Sequence, residues 1–89
     1  MPIIYCNFNL GDWKHTVQLV TDKASSVVGE FTSHELPEAI AVAAMNADIH
    51  EVHLTAPSAY APALSAAITS YAKSKFSNFD LNVEIHSPN

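Results

Sequence analysis

The stretch from His50 to Phe76 constrains the fold more than any other part of the chain. His50-Glu51-Val52-His53-Leu54-Thr55 alternates polar and apolar side chains, as a half-buried strand does. The chain then turns at Ala56-Pro57-Ser58 into one long amphipathic segment reaching Phe76. Tyr60, Leu64, Ile68 and Tyr71 fall there at helical spacing, and Pro62 must lie in the first turn if it is not to break the helix. A second strand follows from Asp80 to Ile85, with Leu81, Val83 and Ile85 inward and Asn82, Glu84 and His86 outward. Strand, helix and strand in this order predict a right-handed crossover between parallel strands.

The preceding residues read as the rest of the sheet. Residues 2–9 place Ile4, Cys6 and Phe8 on one face and Tyr5, Asn7 and Asn9 on the other. Leu10-Gly11-Asp12 supplies a turn, and Trp13 to Thr21 a second strand with Trp13, His15, Val17 and Leu19 opposite Lys14, Thr16, Gln18 and Val20. A polar break at residues 22–26 separates a third strand, Val27 to Phe31, completing an antiparallel meander. From Thr32 to Ala47 the composition becomes helical, with Thr32 and Glu35 spaced as a capping box and Pro37 near the start. Leu36, Ile40, Ala43, Ala44 and Ala47 form its apolar stripe.

The expected architecture is therefore α/β (α+β): a single domain over residues 1–89, built on one mixed five-stranded sheet with element order β-β-β-α-β-α-β. A strand order of 3-2-1-4-5 makes both crossovers run in the same direction, so both helices cover one face. The other face is left open, which agrees with alternation in every strand.

Composition narrows the function. Nine carboxylates stand against four lysines, with no arginine. Nucleic-acid binders concentrate Lys and Arg to replace phosphate counterions, so nucleic acid is not an expected partner. An acidic chain suits a basic protein partner instead. The single cysteine, Cys6, cannot form an internal disulfide and reads as a buried thiol. Met1 to Tyr5 lacks the basic start and long apolar core of a secretory signal, and no run approaches the roughly 20 apolar residues of a membrane helix. A cytoplasmic location without membrane contact is the expectation.

The order and approximate lengths of these elements resemble the ribonuclease H-like fold of nucleases, resolvases and actin-like ATPases, over nearly the whole chain. The resemblance rests on element order alone. It implies a metal-binding Asp on the first strand, and further carboxylates on the first helix and near the end of the fourth strand. This chain has Asn7 and Asn9 on the first strand, Glu35 and Glu38 near the first helix, and Thr55 ending the fourth strand. Asn does not supply the charge that holds catalytic Mg²⁺. Gly11 alone does not make the Gly-rich phosphate hairpin of the actin-like members. Enzymatic activity and cofactors are accordingly not expected.

Other constellations are weak. His50 and His53, three apart on a strand, point to opposite faces and do not chelate one ion. His53 and His86, beside Glu51 and Glu84, offer His and carboxylate ligands of the kind zinc takes, but sequence alone leaves their register open; solvent-facing or interface side chains are the expectation, with no metal. Ser58, His53 and Cys6 lack the nucleophile elbow a catalytic group needs. Trp13 is read as a core anchor in preference to an interface residue.

The open face carries the main expectation of contact. Its candidate binding residues are Tyr5, Asn7, Gln18, Glu51, His53, Glu84 and His86. The leading reading is a small non-enzymatic protein-interaction or accessory domain with a protein partner or self-association as a dimer, of the kind phages and mobile elements carry. The alternatives are a degenerate or metal-dependent hydrolase marked by Asn7, Asn9, Glu35 and Thr55, and a small-ligand domain whose pocket joins Asn9 to the start of the second helix.

Overall fold

The computed structural model describes residues 2–9 and 11–86, so Leu10 of the expected turn lies outside the described residues. The elements are β1 (Ile3–Asn7), β2 (His15–Val20), β3 (Ser25–Phe31), α1 (Leu36–Ala47), β4 (Glu51–Thr55), α2 (Ala61–Lys75) and β5 (Asn82–His86). They form one sheet of order β3-β2-β1-β4-β5. β1 pairs antiparallel with β2 and parallel with β4; β4 in turn pairs parallel with β5. The expected element order and strand order are both present.

Alternation decides which face is covered. Ile4 and Cys6 of β1, Val17 of β2, and Val52 and Leu54 of β4 are fully buried and join Leu36 and Ile40 of α1 and Ile68 of α2 in one core. The two helices touch each other on that side. Ala41 and Ala44 are buried in α1, and Ala61 and Ala72 nearly so in α2, so small side chains let the helices lie close to the sheet. Ala47 of the expected stripe is exposed, and Ile49, just past the helix, takes the place in the core.

The helix starts differ from the expected ones in an instructive way. Regular α1 begins at Leu36, four residues after Thr32, with Pro37 in its first turn. The Glu35 carboxylate accepts from the Thr32 N–H and hydroxyl, each at 3.0 Å, while the Glu35 N–H donates to the Thr32 carbonyl. Half of the capping box is thus made, and these bonds hold the Glu35 carboxyl below its ordinary value. Similarly, Pro57 to Tyr60 forms a single turn, and α2 begins at Ala61 with Pro62 in its first turn.

The first helix ends at Asp48 in the left-handed conformation, φ 54° and ψ 46°. The Ile49 N–H reaches back to the Ala44 carbonyl at 2.8 Å, closing a Schellman-type end with an aspartate where glycine is usual.

The starts of β2 and β3 differ most in consequence from the expected ones. A tight turn in which the Thr21 N–H bonds the Ala24 carbonyl frees Ser25 and Ser26 to pair with Val20 and Leu19, so β3 starts two residues before Val27. A β-bulge between Gly29, opposite Val17, and Val27, opposite Gln18, leaves Val28 as the extra residue. The bulge turns Val27 to the open face while Gly29 faces the core side. There the Phe31 ring lies so close over Gly29 that a Cβ would sit 2.9 Å from the ring tip.

β2 begins at His15, which leaves Trp13 in the preceding bend with 82% of its surface exposed. The expectation of a core anchor is corrected: Trp13 lies beyond the paired part of the strand, where alternation no longer directs side chains inward. His15 takes the inward place instead. Its ring is 4% exposed, stacked on Phe8 at 4.2 Å, and its Nδ1 accepts from the Asn9 N–H at 3.4 Å.

Candidate functional site

The strand registers lay out the uncovered face as three rows of five side chains. One row runs Val27, Gln18, Tyr5, His53, Glu84 from edge to edge. The next runs Glu30, Thr16, Asn7, Thr55, His86. The third holds Ser25, Val20 and Ile3 on one side and Glu51 and Asn82 on the other. All seven candidate residues named from the sequence stand on this face.

Two groups of contacts organise it. At the centre, Tyr5 Oη and Thr55 Oγ1 share a hydrogen bond of 3.1 Å. Toward the β5 edge, three side chains converge on the His53 imidazole. His53 Nε2 lies 3.1 Å from Glu51 Oε1 and 3.2 Å from Glu84 Oε2, and His53 Nδ1 lies 3.2 Å from His86 Nε2. Ionised carboxylates only accept, so this pattern assigns the His53 proton to Nε2 and leaves Nδ1 to accept from His86. The two rings are 5.0 Å apart and inclined by 32°. Donor atoms of His53, Glu84 and His86 all lie within 4.8 Å of one another.

His50 is held elsewhere, as its parity on the strand requires. Its Nδ1–H donates to the Asp80 carbonyl at 2.8 Å, its Nε2 faces Asp48 Oδ1 at 3.2 Å, and the ring stacks on Phe79 at 4.4 Å. The Asp80 carbonyl first, and Asp48 next, raise its pKa above the ordinary histidine value.

The positions that a hydrolase of the resembled fold would use do not converge. Asn7 and Thr55 are ladder partners on the open face. Glu35 lies at the start of α1, on the helix side, with its carboxylate engaged by Thr32. Asn9 turns toward the hairpin loop, where its Nδ2 donates to Asp12 Oδ2 at 3.3 Å. It borders a hollow of about 270 Å³ with Tyr5, Asn7, Lys14 and Gln18. Among the described residues, this hollow holds no side chain of the second helix. The crevice between the helix starts is lined by Phe8, Ser33, His34, Pro37, Tyr60 and Leu64, without Asn9.

Cys6 and His53 point to opposite faces of neighbouring strands, so these two do not pair. Burial pushes the Cys6 thiol up to about 12, and it is inert at neutral pH.

Sequence reasoning placed Val20 on this face but missed Ile3 and Val27. Ile3 shares the parity of Tyr5, which period-two counting could have found. Val27 is brought there only by the bulge, which local sequence does not announce.

Comparison with known proteins gives a likeness of fold. No family model matches the chain. No curated protein matches it either. Among solved structures, it is similar to S. cerevisiae Dom34, a translation termination-like factor involved in RNA quality control pathways and interacting with Hbs1. The TM-score is 0.62 at 15% identity, over 96% of this chain and 28% of that one. The chain thus corresponds to a little over a quarter of that factor's length and shares a fold with that part of it. Among the described residues, no helix is long and apolar enough to cross a membrane.

Proposed function

We propose that this chain is a non-enzymatic interaction or accessory domain of ribonuclease H-like topology, binding a protein partner on its open sheet face. One observation carries the reading. Ile3 and Val20 stand side by side on that face next to Tyr5, with Val27 diagonal to Val20 and Gln18 between Val27 and Tyr5; Glu30, Thr16 and Glu51 border the group. Val27 alone is 60% exposed. An apolar and aromatic centre inside a polar frame is the anatomy of a protein interface. The strand order β3-β2-β1-β4-β5, with an antiparallel meander and two parallel crossovers, supports the topological assignment.

The test is a pull-down with tagged chain beside a Val20→Lys, Val27→Lys double variant, with the mass of each protein measured in solution. The expected result is a stoichiometric partner, lost in a variant that keeps the wild-type melting temperature. A solution mass near twice 9.6 kDa, reverting in the variant, identifies that partner as a second copy. Equal recovery of the same proteins by both forms, or no stoichiometric partner with either, overturns the proposal.

A further inference from the structure

The geometry points to a zinc-class metal site on the open face, with His53 Nδ1, His86 Nε2 and a Glu84 oxygen as ligands and Glu51 as the group that orients His53. The two ring nitrogens are already 3.2 Å apart. Ligands held at roughly 2.0–2.2 Å around a tetrahedral zinc lie about 3.3 Å from one another. A metal ion bonded to both nitrogens would take the place of the shared proton, seated to one side of the line between them, with each ring turning to aim a lone pair at it. In that exchange the His86 proton moves from Nε2 to its other ring nitrogen, and both rings remain neutral.

The third ligand is near. Glu84 stands directly opposite His53 in the β4–β5 ladder and two residues from His86 on the same face of β5. One of its carboxylate oxygens shares the 4.8 Å group with a ring nitrogen of each histidine; Glu84 Oε2 lies 3.2 Å from His53 Nε2, and with its side chain 51% exposed it can turn from there toward the Nδ1 side to reach the ion. On the far side of the His53 ring, Nε2–H donates to Glu51 at 3.1 Å. A carboxylate accepting from the distal N–H of a metal-bound imidazole is the usual outer support of a zinc ligand, because it fixes the tautomer and raises ligand basicity.

Two imidazoles and one carboxylate select zinc and its transition-metal neighbours over Mg²⁺ and Ca²⁺, which prefer all-oxygen shells. Three protein ligands leave the fourth position facing solvent, the arrangement of an open site. The strands position the set: parallel pairing at this register brings residues 33 apart in sequence to one point.

The experiment is calorimetric titration of the full chain with zinc chloride at pH 7.5, with Co²⁺ absorption as a readout of tetrahedral coordination. One zinc per chain is expected. His86→Gln and Glu84→Gln should each weaken binding at least about tenfold, and Glu51→Gln by about 10- to 100-fold with unchanged stoichiometry. His34→Gln, on the helix side, should bind as wild type, and Mg²⁺ should produce no binding heat. At pH 5.5 the affinity should fall, because protons compete for the imidazoles. Since His86 lies on an edge strand, the metal-free melting temperature of its variant shows whether it folds; Glu84→Gln gives an independent variant. The inference is overturned by absence of saturable zinc binding, or by equal affinity in the folded His86→Gln and Glu84→Gln variants.

Discussion

Truncating Leu54 to alanine tests the two-sided character of the sheet. Leu54 lies in β4 between Cys6 of β1 and Ile85 of β5, has no exposed surface, and points to the helix-covered face. The substitution removes three carbon groups. At about 0.8 kcal/mol for each buried methylene, the transfer loss is about 2.4 kcal/mol. A cavity term of about 24 cal/mol per Å³ of unfilled space adds to it, for a total of about 3–4 kcal/mol. An 89-residue domain has a stability of about 4–13 kcal/mol at the usual 0.05–0.15 kcal/mol per residue. The loss is therefore a large part of the whole. With a urea slope near 1 kcal/mol/M, the midpoint should fall by about 3–4 M, with the slope unchanged. Gln18→Ala, on the open face, should change stability by no more than about 0.5 kcal/mol in the same assay. A Leu54→Ala cost below about 1 kcal/mol, or an equal cost for Gln18→Ala, would refute the one-sided burial on which the site depends.

Three further outcomes are expected. Asp48→Gly should raise stability by about 0.5 kcal/mol, or about 2–4 °C in melting temperature, because glycine adopts φ 54° without a Cβ penalty and removes a negative charge from a helix C-terminus; a lowered melting temperature would contradict this. Because the pKa of His50 is raised on folding, its stabilising contribution is complete below the unfolded value near 6.5 and is lost as pH rises through the folded value. Melting temperatures from pH 5.5 to 8.5 should therefore decline less in His50→Gln than in wild type. Cys6, with its thiol pushed up to about 12, should resist iodoacetamide at pH 8 in the native protein and react once urea unfolds it, as read by mass spectrometry.

Much of this molecule was legible locally. Period-two alternation in residues 3–7 and 51–55 assigned Ile4, Cys6, Val52 and Leu54 to one face, and the structure buries all four. The 3.6-residue stripe at Leu36, Ile40 and Ala44 likewise became the buried side of α1. Right-handed crossovers, a property of every L-polypeptide, put both helices on one face if the strand order is 3-2-1-4-5, and the sheet has that order. Strand parity by itself also puts His50 and His53 on opposite faces.

Tertiary structure decided what depends on pairing. Trp13 carried a strand's alternation but lies outside the ladder, so nothing holds its ring inward. Val27 reaches the open face because one residue, Val28, is extra opposite β2, and a bulge belongs to two strands at once. The meeting of His53, Glu84 and His86 likewise depends on the β4–β5 register, since a slip of one residue would turn the two β5 side chains to the other face. Side-chain periodicity is written within each segment, whereas register is set between segments, by the core they bury together.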